Sequence, residues 1–445
     1  MAFNRRETII LLIGDFFILV ASLWVALLIR NLAIPAPRYF EANFVPFLPM
    51  FLLSLVVFYV AGLYEKQTRP IRSAMGIRIF GAQAATVAIA AILFFIFPLS
   101  IAPKTILVLY LLVSVLAESL WRFYRMTREM NEYNRVPALL VGSGPSVLEL
   151  YEEVQGNDRY MIRFGSFVDV HGLTVEEVRT AMAKGIDAGA HLLVADTINS
   201  TTIQEALSVS NRTTQDIAIV EFASLYEEIF DRVPLEHLDV AQLLESLPEH
   251  RSLYDAAKRL FDIALALIGA FIALPFVVVA AVLLFINGGT PFIFNERIGR
   301  GEHIFRIVKL RSMLLNDHGD PELQKKNHVT AIGRILRKTR IDELPQLWNV
   351  LVGDLSFIGP RPELPNLVEV YEHEIPQYRM RHVVTPGLSG WAQIHDYDAP
   401  RGGADVVRTR RKLSFDLYYL KHRSFGLDLA IALKTLRALL SFSGT

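Results

Sequence analysis

Long apolar runs alternate with short polar breaks over residues 1–125, whereas 126–257 and 290–424 carry charges at the density of globular sequence. Four of the runs, near 8–29, 43–64, 77–98 and 103–124, approach the roughly 20 residues that cross a bilayer as a helix. Basic residues set their direction. Arg5 and Arg6 precede the first run; Lys66, Arg69, Arg72 and Arg78 lie between the second and third; Arg122, Arg125, Arg128 and Arg135 follow the fourth. The alternate loops hold only Arg30 and Arg38, then Lys104. The positive-inside bias therefore places both ends of this four-helix bundle in the cytoplasm. Asp15 and Glu118 fall inside the runs. An intramembrane acid is a functional candidate, but both lie near span ends with arginines close by, which favours structural polar contacts.

The pattern then changes period. Val136–Val141, Phe164–Val168, Leu192–Ala195 and Ile217–Val220 read as short strands with helical patterns between them, including Val147–Val154. Alternating strands and helices predict a small, Rossmann-like parallel α/β domain. Its first strand ends in Gly142-Ser143-Gly144, but Val147 occupies the place of the third glycine in a dinucleotide fingerprint. A structural turn is the plainer reading of that pair.

A fifth apolar stretch, 260–286, has Pro275 near its middle and basic residues at both ends, Lys258 and Arg259 before, Arg297 and Arg300 after. Proline removes a helical hydrogen bond and kinks the chain. Two basic flanks predict a re-entrant membrane hairpin kinked at Pro275, with a straight fifth span as the alternative. The boundaries expected are a bundle over 1–128, the α/β domain over 129–250, and over 251–445 the hairpin with a mainly helical cytoplasmic domain.

Composition narrows the chemistry. There is no cysteine among the 445 residues, so thiolate nucleophiles, disulfides and zinc–thiolate sites are excluded. Formal net charge is zero, which gives no reason to expect a nucleic-acid partner. The first apolar run lacks a small-residue cleavage site after it and is read as a retained anchor.

Residues 304–311 alternate as a strand, which puts Lys309 and Arg311 on one face, a pairing that suits adjacent phosphates or a solvated edge. Further on, Asp342 precedes a helical pattern with Pro345 in its first turn and Gly353 near its end. An Asp-Glu pair there could simply cap the helix and oppose its dipole. Arg334, Arg337, Lys338 and Arg340 crowd the approach, however, and Gly359-Pro360-Arg361-Pro362 adds a second, stiff basic turn. Among these cations Asp342 is expected to stay ionised, able to attack phosphorus, with Glu343 an oxygen ligand for Mg²⁺. These residues point to phosphoryl transfer at a membrane surface and name no substrate.

Five ordered segments carry a resemblance: KRLFDIALALIGAFIALP, ERIGRGEHIFRIVKLRSM, TRIDELPQLWNVLVGDLSFIGPRP, TPGLSGWAQI and FDLYYLKHRSFGLDLAIALKT. Over roughly 255–440 the chain resembles the bacterial sugar transferases, phosphoglycosyl transferases with a monotopic core, in a long form bearing four extra spans. The resemblance implies transfer of a sugar-1-phosphate from a UDP-sugar donor to a polyprenyl (undecaprenyl) phosphate acceptor at the bacterial inner membrane, with the catalytic domain on the cytoplasmic face. It implies attack by Asp342 to form an aspartyl phospho-sugar, Mg²⁺ held by Glu343 with Asp342, and phosphate contacts from Lys309, Arg311, Arg340, Arg361 and Arg297. Asn295 and Leu310 depart from the family pattern, which has glutamine and phenylalanine there. The segment 425–442 is read either as an interfacial amphipathic helix or as a packing helix. A nucleotide-sugar oxidoreductase would want the complete glycine fingerprint, and an export scaffold or transporter would leave the cations around Asp342 without work. The sugar and the polymer stay open, as does a homodimer through the α/β module.

Overall fold

The computed structural model describes residues 3–64, 79–90, 104–129, 135–157, 160, 162–197, 200–209, 217–238, 252–287, 289–314, 328–395 and 405–440. The chain divides into two compact units, Met1–Ala195 with Thr202–Val220, and Asp196–Thr201 with Glu221–Thr445.

The first unit opens with the apolar helices α1 (Phe3–Asn31), α2 (Pro37–Val60), α3 (Ile79–Ala90) and α4 (Lys104–Glu129). Helix α2 begins six residues before the apolar run predicts, because Pro37 at its first position presets helical φ. Of the third expected span, 77–98, only 79–90 falls within the described residues. Four described helices are long and apolar enough to cross a membrane: α1, α2, α4 and the Leu253–Ile286 part of a later helix. Leu19, Leu23, Leu27, Phe47, Phe51, Phe58 and Tyr110 fill the bundle centre. Asp15 is fully buried and ion-paired with Arg122, and it accepts a hydrogen bond from the Tyr64 hydroxyl at 2.8 Å. That is the structural contact expected of it. Glu118 is equally buried, but neither of its carboxylate oxygens has a hydrogen-bond partner among the described residues.

Next come β1 (Val136–Gly142), α5 (Pro145–Gly156), β2 (Ile162–Asp169), α6 (Val175–Asp187), β3 (Leu192–Ala195), α7 (Thr201–Val209) and β4 (Ala218–Glu221). They form one four-stranded sheet in the order β2-β1-β3-β4, with β1 parallel to both neighbours. Strand β1 is buried over Ala138–Val141, as a central parallel strand requires. Val147 packs 3.2 Å from where a side chain on Gly142 would begin, so the glycine turn is filled by that valine.

In the second unit, α8 (Phe222–Phe230) is followed by the long helix α9 (Ser252–Ile286), which is continuous through Pro275. An antiparallel hairpin, β5 (Phe292–Ile298) and β6 (Ile304–Leu310), comes next. Then follow α10 (Ala331–Thr339), a 3₁₀ turn (Ile341–Gln346), α11 (Leu347–Val352), β7 (Ser356–Ile358), α12 (Pro365–Glu374), a second 3₁₀ turn (Tyr378–Val383), β8 (Gly387–Ser389), α13 (Trp391–His395), α14 (Val406–His422) and α15 (Phe425–Leu440). Helix α14 runs through the core, where Leu413, Leu417 and Leu420 meet Tyr371, Tyr378 and Trp391. Helix α8 is tied to that core by Glu227, which bonds Lys421 at 2.8 Å and His422 at 2.9 Å. Helix α15 buries Ile431 completely while exposing Phe425, Leu429, Leu436 and Leu439. It is thus a packing helix, one of the two readings that its sequence left open, and it keeps an apolar outer face.

Candidate active site

The site starts at a helix end. Thr330 caps α10 by accepting the Gly333 amide at 3.0 Å, and α10 stops at Arg340, whose left-handed φ of 58° is uncommon for a residue with a side chain. The reversal feeds directly into the 3₁₀ turn that carries Asp342 and Glu343. The cap position of this turn falls on Arg340, and Asp342 lies inside the turn, so the helix-cap reading is corrected. Pro345 has no amide to donate and opposes an α-helical start through its neighbours, and the chain tightens into a 3₁₀ turn before α11. Helix α11 has six residues, too few for its dipole to do much. It ends at Gly353, whose φ of 103° only glycine adopts easily.

Asp342 is 9% exposed, while Glu343 is about one-third exposed. Glu343 holds two cations, Lys309 Nζ at 2.9 Å on one oxygen and Arg340 Nη1 at 3.4 Å on the other. Burial raises the Glu343 pKa, but Lys309, then Arg361 and Arg340, overcome that and hold it at about 2. Asp342 goes the other way. Burial and then the Glu343 charge lift its pKa above the ordinary value of 3.8, against the opposing pull of Lys309 and Arg337. The cationic depression expected at Asp342 therefore falls on its neighbour. The pair has been driven apart, one carboxylate fixed as an anion and the other made more basic, an arrangement that recurs where acids have distinct chemical tasks.

The other expected phosphate contacts separate into groups. Lys309 reaches Glu343 from β6. Arg311 lies just beyond β6 and donates to the Leu284 carbonyl at 3.4 Å near the end of α9. Arg361 is exposed on its stiff turn, and its carbonyl accepts from Arg381 at 2.9 Å. Arg297 has its pKa lowered by burial and by the Arg361 charge, with Glu363 opposing. Those two guanidiniums are close enough to repel, while the Glu363 carboxylate pulls the Arg297 pKa the other way. Leu310, one departure from the family pattern, is fully buried against Ala280, Leu284 and Leu336.

Two supports escaped the sequence. Asn349 is 2% exposed and acts as an extra strand: its Oδ1 accepts the Val308 amide at 3.1 Å and its Nδ2 donates to the Arg306 carbonyl at 2.8 Å. This fixes Lys309 against the carboxylate turn, and an amide inside the apolar run LWNVLV is the signal that could have revealed it. The basic turn is held by backbone: Gly359 donates to Ser389 at 2.8 Å and Gly387 donates to Pro360 at 2.9 Å. A side chain on Gly359 would begin 2.5 Å from the Thr385 carbonyl oxygen, so the two segments touch too closely for one.

A buried carboxylate beside an ionised one, with lysine and arginine around them at the foot of an apolar helix, is an arrangement suited to handling phosphate. The model of the bacterial sugar transferase family matches residues 253–442. The UDP-glucose:undecaprenyl-phosphate glucose-1-phosphate transferase of Caulobacter vibrioides is 37% identical over 199 residues, 44% of this chain and 73% of that protein. An exopolysaccharide production protein of Rhizobium leguminosarum is 35% identical over 40% of this chain and 92% of its own. The UDP-N-acetylgalactosamine-undecaprenyl-phosphate N-acetylgalactosaminephosphotransferase of Aeromonas hydrophila is 41% identical over 233 residues, 51% of this chain, and the match spans about half (53%) of that relative. The chain belongs to the bacterial sugar transferase family.

Proposed function

We propose that the chain moves a sugar-1-phosphate from a UDP-sugar to undecaprenyl phosphate and releases UMP, by way of a phospho-sugar held covalently on Asp342. The observation that carries this reading is the split pair: a buried, more basic Asp342 beside a Glu343 clamped as an anion by Lys309. In the first step an Asp342 oxygen attacks the β-phosphorus of the donor. The bond from that phosphorus to the oxygen bridging the two phosphates breaks, and its electron pair leaves with UMP. In the second step a phosphate oxygen of the lipid attacks the same phosphorus and the carboxylate departs, ionised again. The two substrates need not share the site.

Lys309 and Arg337, whose charges oppose the rise in the Asp342 pKa, favour the ionised carboxylate that attacks. Arg297 and Arg361, two guanidiniums whose charges repel, would bind the donor phosphates between them. Asp342 and Glu343 fit Mg²⁺: the donor set is oxygen only, and a divalent ion would relieve the repulsion that lifts Asp342. When bound, the ion neutralises charge on the diphosphate.

The membrane arrangement is part of the same proposal. Helix α9 enters the bilayer from the cytoplasmic face of the inner membrane and returns to it, kinked at Pro275. Two contacts support this. Asp262 in its first half accepts the Phe357 amide at 3.2 Å, and Leu284 near its end packs on Leu310 and Leu336. A helix whose two halves both rest on one soluble domain does not deliver its ends to opposite sides of a membrane. The parallel sheet of the first unit is assigned a Rossmann-like module. The relatives' names specify different sugars, so the proposal names the donor class alone.

The test supplies purified chain with Mg²⁺ and UDP-sugars radiolabelled at the β-phosphorus. Donor alone should leave label on the protein and release UMP; adding undecaprenyl phosphate should move the label to lipid. Asp342→Asn should do neither while still inserting in membranes. Normal turnover by that variant would remove Asp342 as the nucleophile.

A further inference from the structure

Among the described residues, one group of three side chains has the composition and spacing of a metal site, and it lies apart from Asp342 and Glu343. Ligand-type atoms of Glu302, Glu372 and His382 all fall within 4.8 Å of one another. They come from three elements: the tip of the β5–β6 hairpin, helix α12 and the second 3₁₀ turn. The hairpin tip is held in an unusual shape to present its member, since Gly301 and Glu302 both have left-handed φ, 63° and 65°. Glu302 sits seven positions along the chain from Lys309, about 23 Å at strand rise. The group is therefore not an outlying part of the carboxylate pair.

His382 supplies the independent observation. It is 7% exposed, and its buried Nδ1 has no hydrogen-bond partner. A buried imidazole nitrogen without a partner is costly, and here a ring nitrogen of the same residue lies within 4.8 Å of an oxygen of each carboxylate. Burial first, then the Arg381 and Arg379 charges, press the His382 pKa down to about 4. Neutral imidazole is the form that donates a lone pair to a metal.

We propose that Glu302, Glu372 and His382 form a divalent transition-metal site that staples the hairpin tip to the second 3₁₀ turn, with Arg379 competing for the same oxygens. One imidazole with two carboxylates suits Zn²⁺ or Mn²⁺ better than Mg²⁺, which prefers an oxygen shell rich in water. Ligand atoms about 2.1 Å from zinc in a tetrahedron lie about 3.4 Å apart. Closing from the present spacing takes a modest rotation, and Glu302 is exposed and free to make it. Arg379 already occupies the negative end of the site, with Nε 3.5 Å from Glu302 and Nη2 3.0 Å from Glu372. Its side chain is 66% exposed and can swing into water when an ion displaces it.

The full chain in lipid nanodiscs, stripped of metal and held in millimolar Mg²⁺, is titrated with Zn²⁺ by calorimetry, with no substrate present. One Zn²⁺ per chain should bind with a single imidazole in its X-ray absorption spectrum. His382→Gln should weaken binding by at least about tenfold, since even outer-shell changes cost 10–100-fold. Arg379→Ala should tighten it, because a competitor for the carboxylates is gone. Failure to bind, an unchanged affinity in His382→Gln, or weaker binding in Arg379→Ala would each overturn the site. The Arg379 arm keeps the test decisive if His382→Gln unfolds. Because no arm measures turnover, the outcome is independent of the transferase reading.

Discussion

Replacing Asn349 by alanine separates the strand that carries Lys309 from the turn that carries the carboxylates. The side chain makes two bonds to β6, accepting from Val308 at 3.1 Å and donating to Arg306 at 2.8 Å. Its loss leaves a backbone donor and a backbone acceptor without partners in a partly buried seam. Each orphaned group costs about 1–3 kcal/mol, and some hydration is possible on the exposed Arg306 side, so the total is about 3 kcal/mol. At roughly 1.4 kcal/mol per factor of ten, exchange protection of the Val308 amide should fall on the order of 10²-fold. Lys309 follows Val308 directly and loses its fixed approach to Glu343. The same order of loss in kcat/KM is expected from misplacing a group near the reacting atoms by about 1 Å. Hydrogen exchange of the 304–310 segment in nanodiscs reads the first effect, and release of UMP reads the second. Asn349→Asp keeps the acceptor and lacks the donor, so it should fall between alanine and the natural residue. Unchanged protection at Val308 together with unchanged turnover in the alanine variant would refute the reasoning.

Three further outcomes follow from the geometry. Gly333→Ala would place a methyl carbon 1.8 Å from the Ser312 carbonyl oxygen, an overlap that forces α10 away and should cost about 1–3 kcal/mol or more, seen as a lower melting temperature of the purified chain; an unchanged melt would contradict the close approach. Turnover should fall as pH drops through the Asp342 pKa, which lies above the usual 3.8, and Arg337→Gln should move that acid limb to higher pH because it removes a cation that favours the carboxylate; a limb that stays put would mean Asp342 does not set it. The protein has no cysteine, so single Asp255→Cys and His303→Cys variants label cleanly, and both should react from the same side of sealed membranes if α9 is re-entrant; labelling from opposite sides would make it a span.

The elements were legible wherever one period held without interruption. Strand β3 occupies the predicted residues, and β1, β2 and β4 lie within two residues of expectation, because continuous apolar runs bounded by turn residues leave the chain few other choices. The carboxylate pair was legible by its type and by the basic residues around it. The electrostatics were not. The cations along the chain predict an ionised Asp342 but not that burial lifts its pKa while Lys309 points its charge at Glu343. Period-two alternation gives the direction of Arg311 only while the strand lasts; β6 ends at Leu310, and one partner of Arg311 is a carbonyl 27 residues back in α9. Asn349 was missed since a lone amide in an apolar helix gains meaning only once a strand edge is beside it.

Helix α9 shows how one apolar sequence can be read by two environments. It is apolar on every side, as a membrane segment is, so amphipathic patterning cannot orient it. Size does. Ala266, Ala273 and Ala280 recur every seven residues and are buried against the protein, with Gly269 letting Leu347 approach to 3.4 Å of its missing side chain. Leu267, Phe271, Leu274, Val278, Val282 and Phe285 face outward and are exposed. Small residues admit a close neighbour, and large ones give lipid its contact area. Polar anchors then fix the height of the site: Arg259 donates to the Val350 and Leu351 carbonyls at 2.5 and 2.7 Å, completing the end of α11 directly after the carboxylate turn. On the proposed membrane arrangement, the helix that meets the bilayer also holds the Asp342–Glu343 turn at a set depth beneath it. For a reaction that joins a soluble donor to a lipid phosphate, that depth matters as much as the carboxylate itself, because a nucleophile held one helical turn too far out, about 5.4 Å, could be loaded by the donor and never reach the acceptor.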